Sequence, residues 1–258
     1  TVHHRPDGVV RVHGNIAGRE ADDGDDVLAR HPLTGRRVRD VGTEVRLPVG
    51  DAVGLQRQRH AGALLLETGE QVALVGVAGA ARIAPLFLLK WESDEALLQA
   101  ARAQTGFTHR DPQVIETAEF FARVTLAVQS GAEISAALGE AAALPHWQAI
   151  PDGWFAAAVA SSASREPDAI AAHALGLSCH VEDAFPVICH LLLRHPQDPV
   201  RALTTNAETG GDSAARALLM GMVYGTLPNA TPLPKEWITG LRAHDEIQRL
   251  IARITSLV

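Results

Sequence analysis

The sequence predicts an all-α fold, and three observations carry that expectation. Aromatics make up only 4% of the residues while Ala and Leu abound, a balance that favours helices over a sheet rich in β-branched and aromatic side chains. From Val72 onward the apolar residues recur at the three- and four-residue spacing of packed helices, interrupted by short polar turns. The 258 residues are 47% hydrophobic and 21% charged, enough to bury one large core within a single domain.

Residues 1 to about 60 read as an irregular segment, because Gly, Asp, Arg and Pro recur every few positions and break any helical pattern. Within it Val45, Leu47 and Val49 alternate as in a short strand, which Pro48 restricts to a sheet edge. The opening TVHHRPDG has no signal-peptide core and reads as a processed, truncated or partial start. The helical core is expected from Val72 to Val258, with at least eight helices. Helices are predicted at 94–104, after Asp111, at 133–143, 167–175, 183–195, 198–208 and 212–225, and from about 242 to 257. The clearest follows Asp111, which can cap it, with Pro112 at the first helical position, where a missing N–H costs nothing. Val114, Ala118, Phe121, Thr125 and Val128 share one face of that helix, and Gly131 suits its stop. In the last helix Ile247, Leu250, Ile251, Ile254 and Val258 form an apolar stripe.

Charge and cysteine usage narrow the function classes. A net charge of −7 offers no broad basic surface for a nucleic-acid backbone, which leaves a small anionic ligand. Cys179 and Cys189 form neither a CxxC pair nor a disulfide framework, so a reduced, cytoplasmic setting is expected. A membrane span is not expected either, since the longest apolar run, Val72 to Leu89, contains Arg82 and Pro85.

The most informative stretch is Asn206-Ala-Glu-Thr-Gly-Gly-Asp-Ser-Ala-Ala-Arg216. Two glycines followed by an acid and a small-residue helix can bring backbone close to a ligand, and Asp212 or Ser213 as N-cap would leave the first-turn N–H groups free for an anion. The same residues also make an ordinary glycine turn before a capped, tightly packed helix. Arg82 could grip a phosphate bidentately or pair with an acid to stitch helices together. His109 could position or protonate a ligand, or order the turn before Asp111. Cys179, His180, Glu182 and His190 match no common zinc spacing, and Cys189 suits a small core position. Asp22 and Asp23 lie in an acidic run of the kind that usually forms a solvated loop.

Taken in order, these segments resemble the ADP-ribosylglycohydrolase family, which includes dinitrogenase-reductase-activating glycohydrolase and the jellyfish-type crystallins. Gly210-Gly211-Asp212-Ser213 is similar to the family's C-terminal GGDTDT motif, Gly79-Ala-Ala-Arg-Ile-Ala-Pro85 to its N-G-A-A-M-R-I-A-P segment, and Phe107-Thr-His-Arg-Asp-Pro112 to its T-H-x-D-P step before a long helix. Gly176 to His190 resembles the helix with an ALP or AFP run. Gly221, Gly225, Pro234 and Trp237 fall where the family has glycines and I-P-x-x-W. The likeness spans residues 72 to 250, about seven tenths of the chain.

The resemblance implies an orthogonal α-helical bundle that binds ADP-ribose over two magnesium ions, held by an N-terminal Thr-Asp-Asp triplet and the GGDTDT motif, and that cleaves the glycosidic bond to ADP-ribose. Asp212 would then be the catalytic acid and a metal ligand, with Arg82, His109, Gly210, Gly211, Ser213 and Arg216 on the substrate. Ala214 and Ala215, however, replace two of the three C-terminal ligands, and Asp22-Asp23 is the sole acid pair suggestive of the N-terminal set. Magnesium asks for clustered oxygens in near-octahedral array, so this pattern implies a degraded metal site. Asp212 and Arg216 stand four apart on one predicted helix and are expected to pair, with Arg216 partly replacing the metal's charge. Two functions follow: hydrolysis of an ADP-ribosyl N- or O-glycosidic bond, or non-catalytic binding of ADP-ribose or a nucleotide, extending to a crystallin-like structural role. A hydrolase of another ribosylated compound is a third, since fold does not fix function.

Overall fold

The computed structural model describes residues 74–228 and 230–256, together with four short strands nearer the N-terminus. The chain divides into two compact units, Thr1–Val72 and Ala73–Val258. In the first, β1 (Val2–His4) pairs antiparallel with β2 (Val10–Val12), and β3 (Ala29–Arg30) with β4 (Arg37–Val38). The alternation at Val45 to Val49 and the acids Asp22 and Asp23 lie outside the described residues.

The second unit is built of helices. A single turn, α1 (Ala78–Ala81), leads into a 3-10 turn at Ala84–Leu88. Then come α2 (Asp94–Gly106), α3 (Pro112–Gln129), α4 (Ile134–Ala142), α5 (Asp152–Ala163), α6 (Asp168–Leu175), α7 (Val181–Arg194), α8 (Pro199–Thr209), α9 (Ser213–Gly225), α10 (Lys235–Thr239) and α11 (His244–Thr255). Local chemistry starts several of them. The Ser93 hydroxyl accepts from the Ala96 N–H to cap α2. Asp111 Oδ1 accepts from Gln113 and Val114, at 2.9 and 3.4 Å, to cap α3, and Asp198 Oδ1 accepts from Arg201 to cap α8. Pro112 and Pro199 follow their caps in first-turn positions that need no donor.

The core centres on α7, which packs against α3, α4, α5, α6, α8 and α9. Val114, Ala118, Phe121, Thr125 and Val128 of α3 are all buried, as their common face predicts. Phe120 and Phe185 meet edge to face at 4.8 Å, joining α3 to α7, and Cys189 is a core residue. Three helices have no counterpart among those predicted: the short α1 and α10, and the longer α5, which is rich in Ala and Ser around Trp154 and Phe155, without a periodic stripe. The C-terminal stripe behaves differently from a core element, since no residue of α11 is buried and Ile247 and Leu250 stay exposed.

Polar groups tie the ends of these helices. The buried Glu116 carboxylate accepts from the backbone N–H groups of Gln148, Ala149 and Ile150, at 2.8 to 3.2 Å, fixing the loop after α4 onto α3. Beyond the C-terminal end of α7, Asp168 accepts from His195 at 2.7 Å and faces Arg194 at 2.9 Å and His190 at 3.5 Å. The Tyr224 hydroxyl donates to the His195 carbonyl and fastens the end of α9 there. Among the described residues no helix is long and apolar enough to cross a membrane.

Candidate active site

Two segments distant in sequence meet on residues 176–181. Gly76 bridges His180 in antiparallel fashion, with Val77 N–H donating to the Cys179 carbonyl and Val181 N–H to the Val75 carbonyl, both at 2.9 Å. On the other side the Asp212 N–H donates to the Leu177 carbonyl at 3.2 Å. The 176–181 loop therefore touches both the start of α1 and the Gly210–Ser213 turn, and α1 also packs on α9.

The Gly210–Ser213 turn needs both its glycines: Gly210 and Gly211 have φ of +80° and +66°. A Cβ on Gly211 would stand 2.1 Å from the Leu177 carbonyl oxygen, so the close approach excludes any side chain. Asp212 sits at the N-cap of α9 without using its carboxylate as a cap, which leaves that half-buried group uncommitted. Ser213 is likewise half-buried at the first position of α9.

Arg82 and His109 form a second cluster joined through Thr108. An Arg82 Nη2 donates to the Thr108 hydroxyl, which lies 2.9 Å from His109 Nδ1. Arg82 can only donate, so the Thr108 hydroxyl keeps its own hydrogen for Nδ1; the tautomer using every hydrogen in this chain carries the ring proton on Nε2. Burial, and then the charge of Arg82, lower the His109 pKa and hold the ring neutral near pH 7. The ring lies where a Cβ on Gly79 would be, 2.5 Å from its Cγ, so Gly79 makes the space for it. Arg82 Nε is buried and has no hydrogen-bond partner.

Arg216 stands otherwise than the sequence suggests. The expected ion pair with Asp212 does not form, because the guanidinium points inward and is wholly buried. Its Nε donates to Asn206 Oδ1 at 2.8 Å, and one terminal nitrogen donates to the Gly210 carbonyl. Asn206 in turn donates to the Ser213 carbonyl at 2.8 Å. The two side chains so hold both ends of the turn from beneath, while the other terminal nitrogen, Nη1, is buried without a partner. Asn206 opens the stretch singled out in the sequence, yet its role depends on α8 and α9 lying side by side, which spacing does not reveal.

The family model for ADP-ribosylglycohydrolases matches residues 9–258, all but the first eight of the chain. The chain belongs to the ADP-ribosylglycohydrolase family. The match extends the likeness seen in the motifs through both compact units, and the helical second unit agrees with the family's all-α fold. Members act on ADP-ribosylated substrates. No curated protein matches the chain.

Family membership suggests metal-dependent activity, and the donors of the Gly210–Ser213 turn do not fit a divalent cation. The turn supplies a single carboxylate, Asp212; Ala214 and Ala215 offer no ligand atom, and the next residue contributes a cation in place of an acceptor. Among the described residues no three His, Cys, Asp or Glu side chains converge to hold a metal. The four residues weighed for zinc do not gather, since Cys179 and His180 are exposed whereas the buried His190 lies against Asp168.

Proposed function

We propose that this chain recognises the ADP-ribosyl group at the Gly210–Ser213 turn, with Arg82 and His109 beside it, and acts on its glycosidic bond through a metal site that has lost its ligands. The observation that supports this reading is that α1 and the Gly210–Ser213 turn both meet the 176–181 loop, Val77 and Val181 pairing along it on one side and the Asp212 N–H donating to Leu177 on the other. A guanidinium suits the pyrophosphate, and an imidazole with its proton on Nε2 can donate to a ribose or phosphate oxygen. Asp212 is the acid that would orient a water molecule. Hydrolysis should be slow, because a carboxylate alone does not make hydroxide available as a metal-bound water does.

The missing donors at Ala214 and Ala215 favour a second reading, in which the chain binds ADP-ribose or a nucleotide without cleaving anything, or persists as a crystallin-like structural protein. Calorimetric titration with ADP-ribose, beside a hydrolysis assay on ADP-ribosyl-arginine, separates the two. Binding with slow turnover that Asp212→Asn abolishes supports the enzyme, binding with no turnover supports the receptor, and no binding at millimolar ligand rejects both of these and favours the crystallin-like role. The free thiols of Cys179 and Cys189 suit a reducing, cytoplasmic compartment.

A further inference from the structure

We infer that Arg216 is a positioning residue that replaces a divalent cation from within the protein, organising the Gly210–Ser213 turn so that the site works without magnesium. The inference rests on the ADP-ribosyl site proposed above and deepens it. A metal-bound turn is held by an ion outside the chain, which pulls acceptor oxygens together. Here the same demand falls on a guanidinium: it donates to the Gly210 carbonyl, and through Asn206 it secures the Ser213 carbonyl at the other end. Arg216 is 0% exposed, so it acts on the turn and not by touching ligand from solvent. Burial lowers the Arg216 pKa from its ordinary value, and the charge of the nearby Asp212 carboxylate opposes that by favouring the charged guanidinium, although the two form no ion pair. A magnesium ion brought to Asp212 would therefore meet a fixed positive charge behind it and two methyl groups where oxygens are needed. Losing two ligands and gaining a buried cation are two parts of one exchange.

The full chain serves for the test. Mn2+ titration followed by electron paramagnetic resonance, thermal unfolding in MgCl2 against EDTA, and calorimetric titration with ADP-ribose in EDTA would be run on the native protein, Arg216→Lys and Arg216→Met. The Mn2+ signal should remain that of the free ion, unfolding should not respond to MgCl2, and EDTA should leave ADP-ribose affinity within about twofold. Arg216→Met fills similar space but donates nothing, and should weaken ADP-ribose by about tenfold or more, with Arg216→Lys between it and the native chain. Stoichiometric Mn2+ binding, stabilisation by MgCl2, or a Met variant that binds like the native chain would each overturn the inference. If the native chain gives no ADP-ribose heat, the functional reading fails by itself, and amide exchange at Asp212 and Ser213 decides the role of Arg216. Exchange about tenfold faster in the Met variant than in the native chain upholds it, and unchanged exchange rejects it.

Discussion

A methyl group on Gly79 would stand 2.5 Å from the His109 ring, so the imidazole keeps its place by the absence of one carbon atom. Gly79→Ala must move the ring, the adjacent backbone or both, at a cost of about 1–3 kcal/mol in stability. Because the ring is tied through Thr108 to Arg82, the same change should disturb the whole cluster and weaken ADP-ribose by about tenfold, measured by calorimetry beside urea unfolding. Unchanged affinity in a folded Gly79→Ala protein would remove His109 from the site. At this scale the sequence was partly legible. Gly210, Gly211 and Asp212 stand out by chemistry that any glycine-rich turn displays, whereas the Asp212–Arg216 spacing was misleading. Four residues along a helix let two side chains meet but do not oblige them to, and the Gly210 carbonyl and the buried Asn206 offered the guanidinium more than a half-exposed carboxylate could.

Helices with polar starts were the readable elements. Ser93, Asp111 and Asp198 mark theirs by side-chain caps, and α2, α3 and α8 begin next to them. The α5 helix escaped detection because Ala and Ser dominate it and its aromatic pair, Trp154 and Phe155, is only partly buried, so no stripe announces a face. The α11 stripe announced one that the described fold leaves exposed. Contacts such as those of Glu116 are invisible in sequence, since they join α3 to a loop more than thirty residues away. Glu116→Ala strands three backbone donors at once, and a loss of about 2–4 kcal/mol is expected from unmet hydrogen bonds around a charged acceptor. Hydrogen exchange should localise it: the amides of Gln148, Ala149 and Ile150 should lose protection well before those of α7, and protection equal to the native chain would disprove the anchoring role.

For the molecule as a whole, acid should act in two stages. Burial lowers the pKa of both His109 and His190, and for His190 the opposing charge of Asp168 does not outweigh it. The unfolded chain takes up protons below about pH 6.5 that these folded imidazoles refuse, so stability falls as pH drops through that value toward their depressed folded pKa values. Asp168 and Glu119 come next. Burial would raise both, but hydrogen bonds from His195 to Asp168, and from Arg123 and Arg102 to Glu119, together with the charges of those partners, hold them below the ordinary carboxylate range. Their contribution is complete above that range and is lost as pH falls through the depressed values. Urea midpoints taken from pH 8 to pH 4 should therefore decline first near pH 6.5, and His190→Asn should flatten that first decline whatever it does to stability at pH 8. A curve flat from pH 7 to pH 5 would refute the assignment. The contact between Gly211 and the Leu177 carbonyl bears on a different matter, namely what a signature can testify to. A glycine required by a neighbouring backbone is required for this turn to fold, whether or not anything binds beside it. The paired glycines of this chain thus testify to architecture, and kinship read from them says which scaffold is shared while leaving the chemistry to be read from Asp212, Ala214, Ala215 and Arg216.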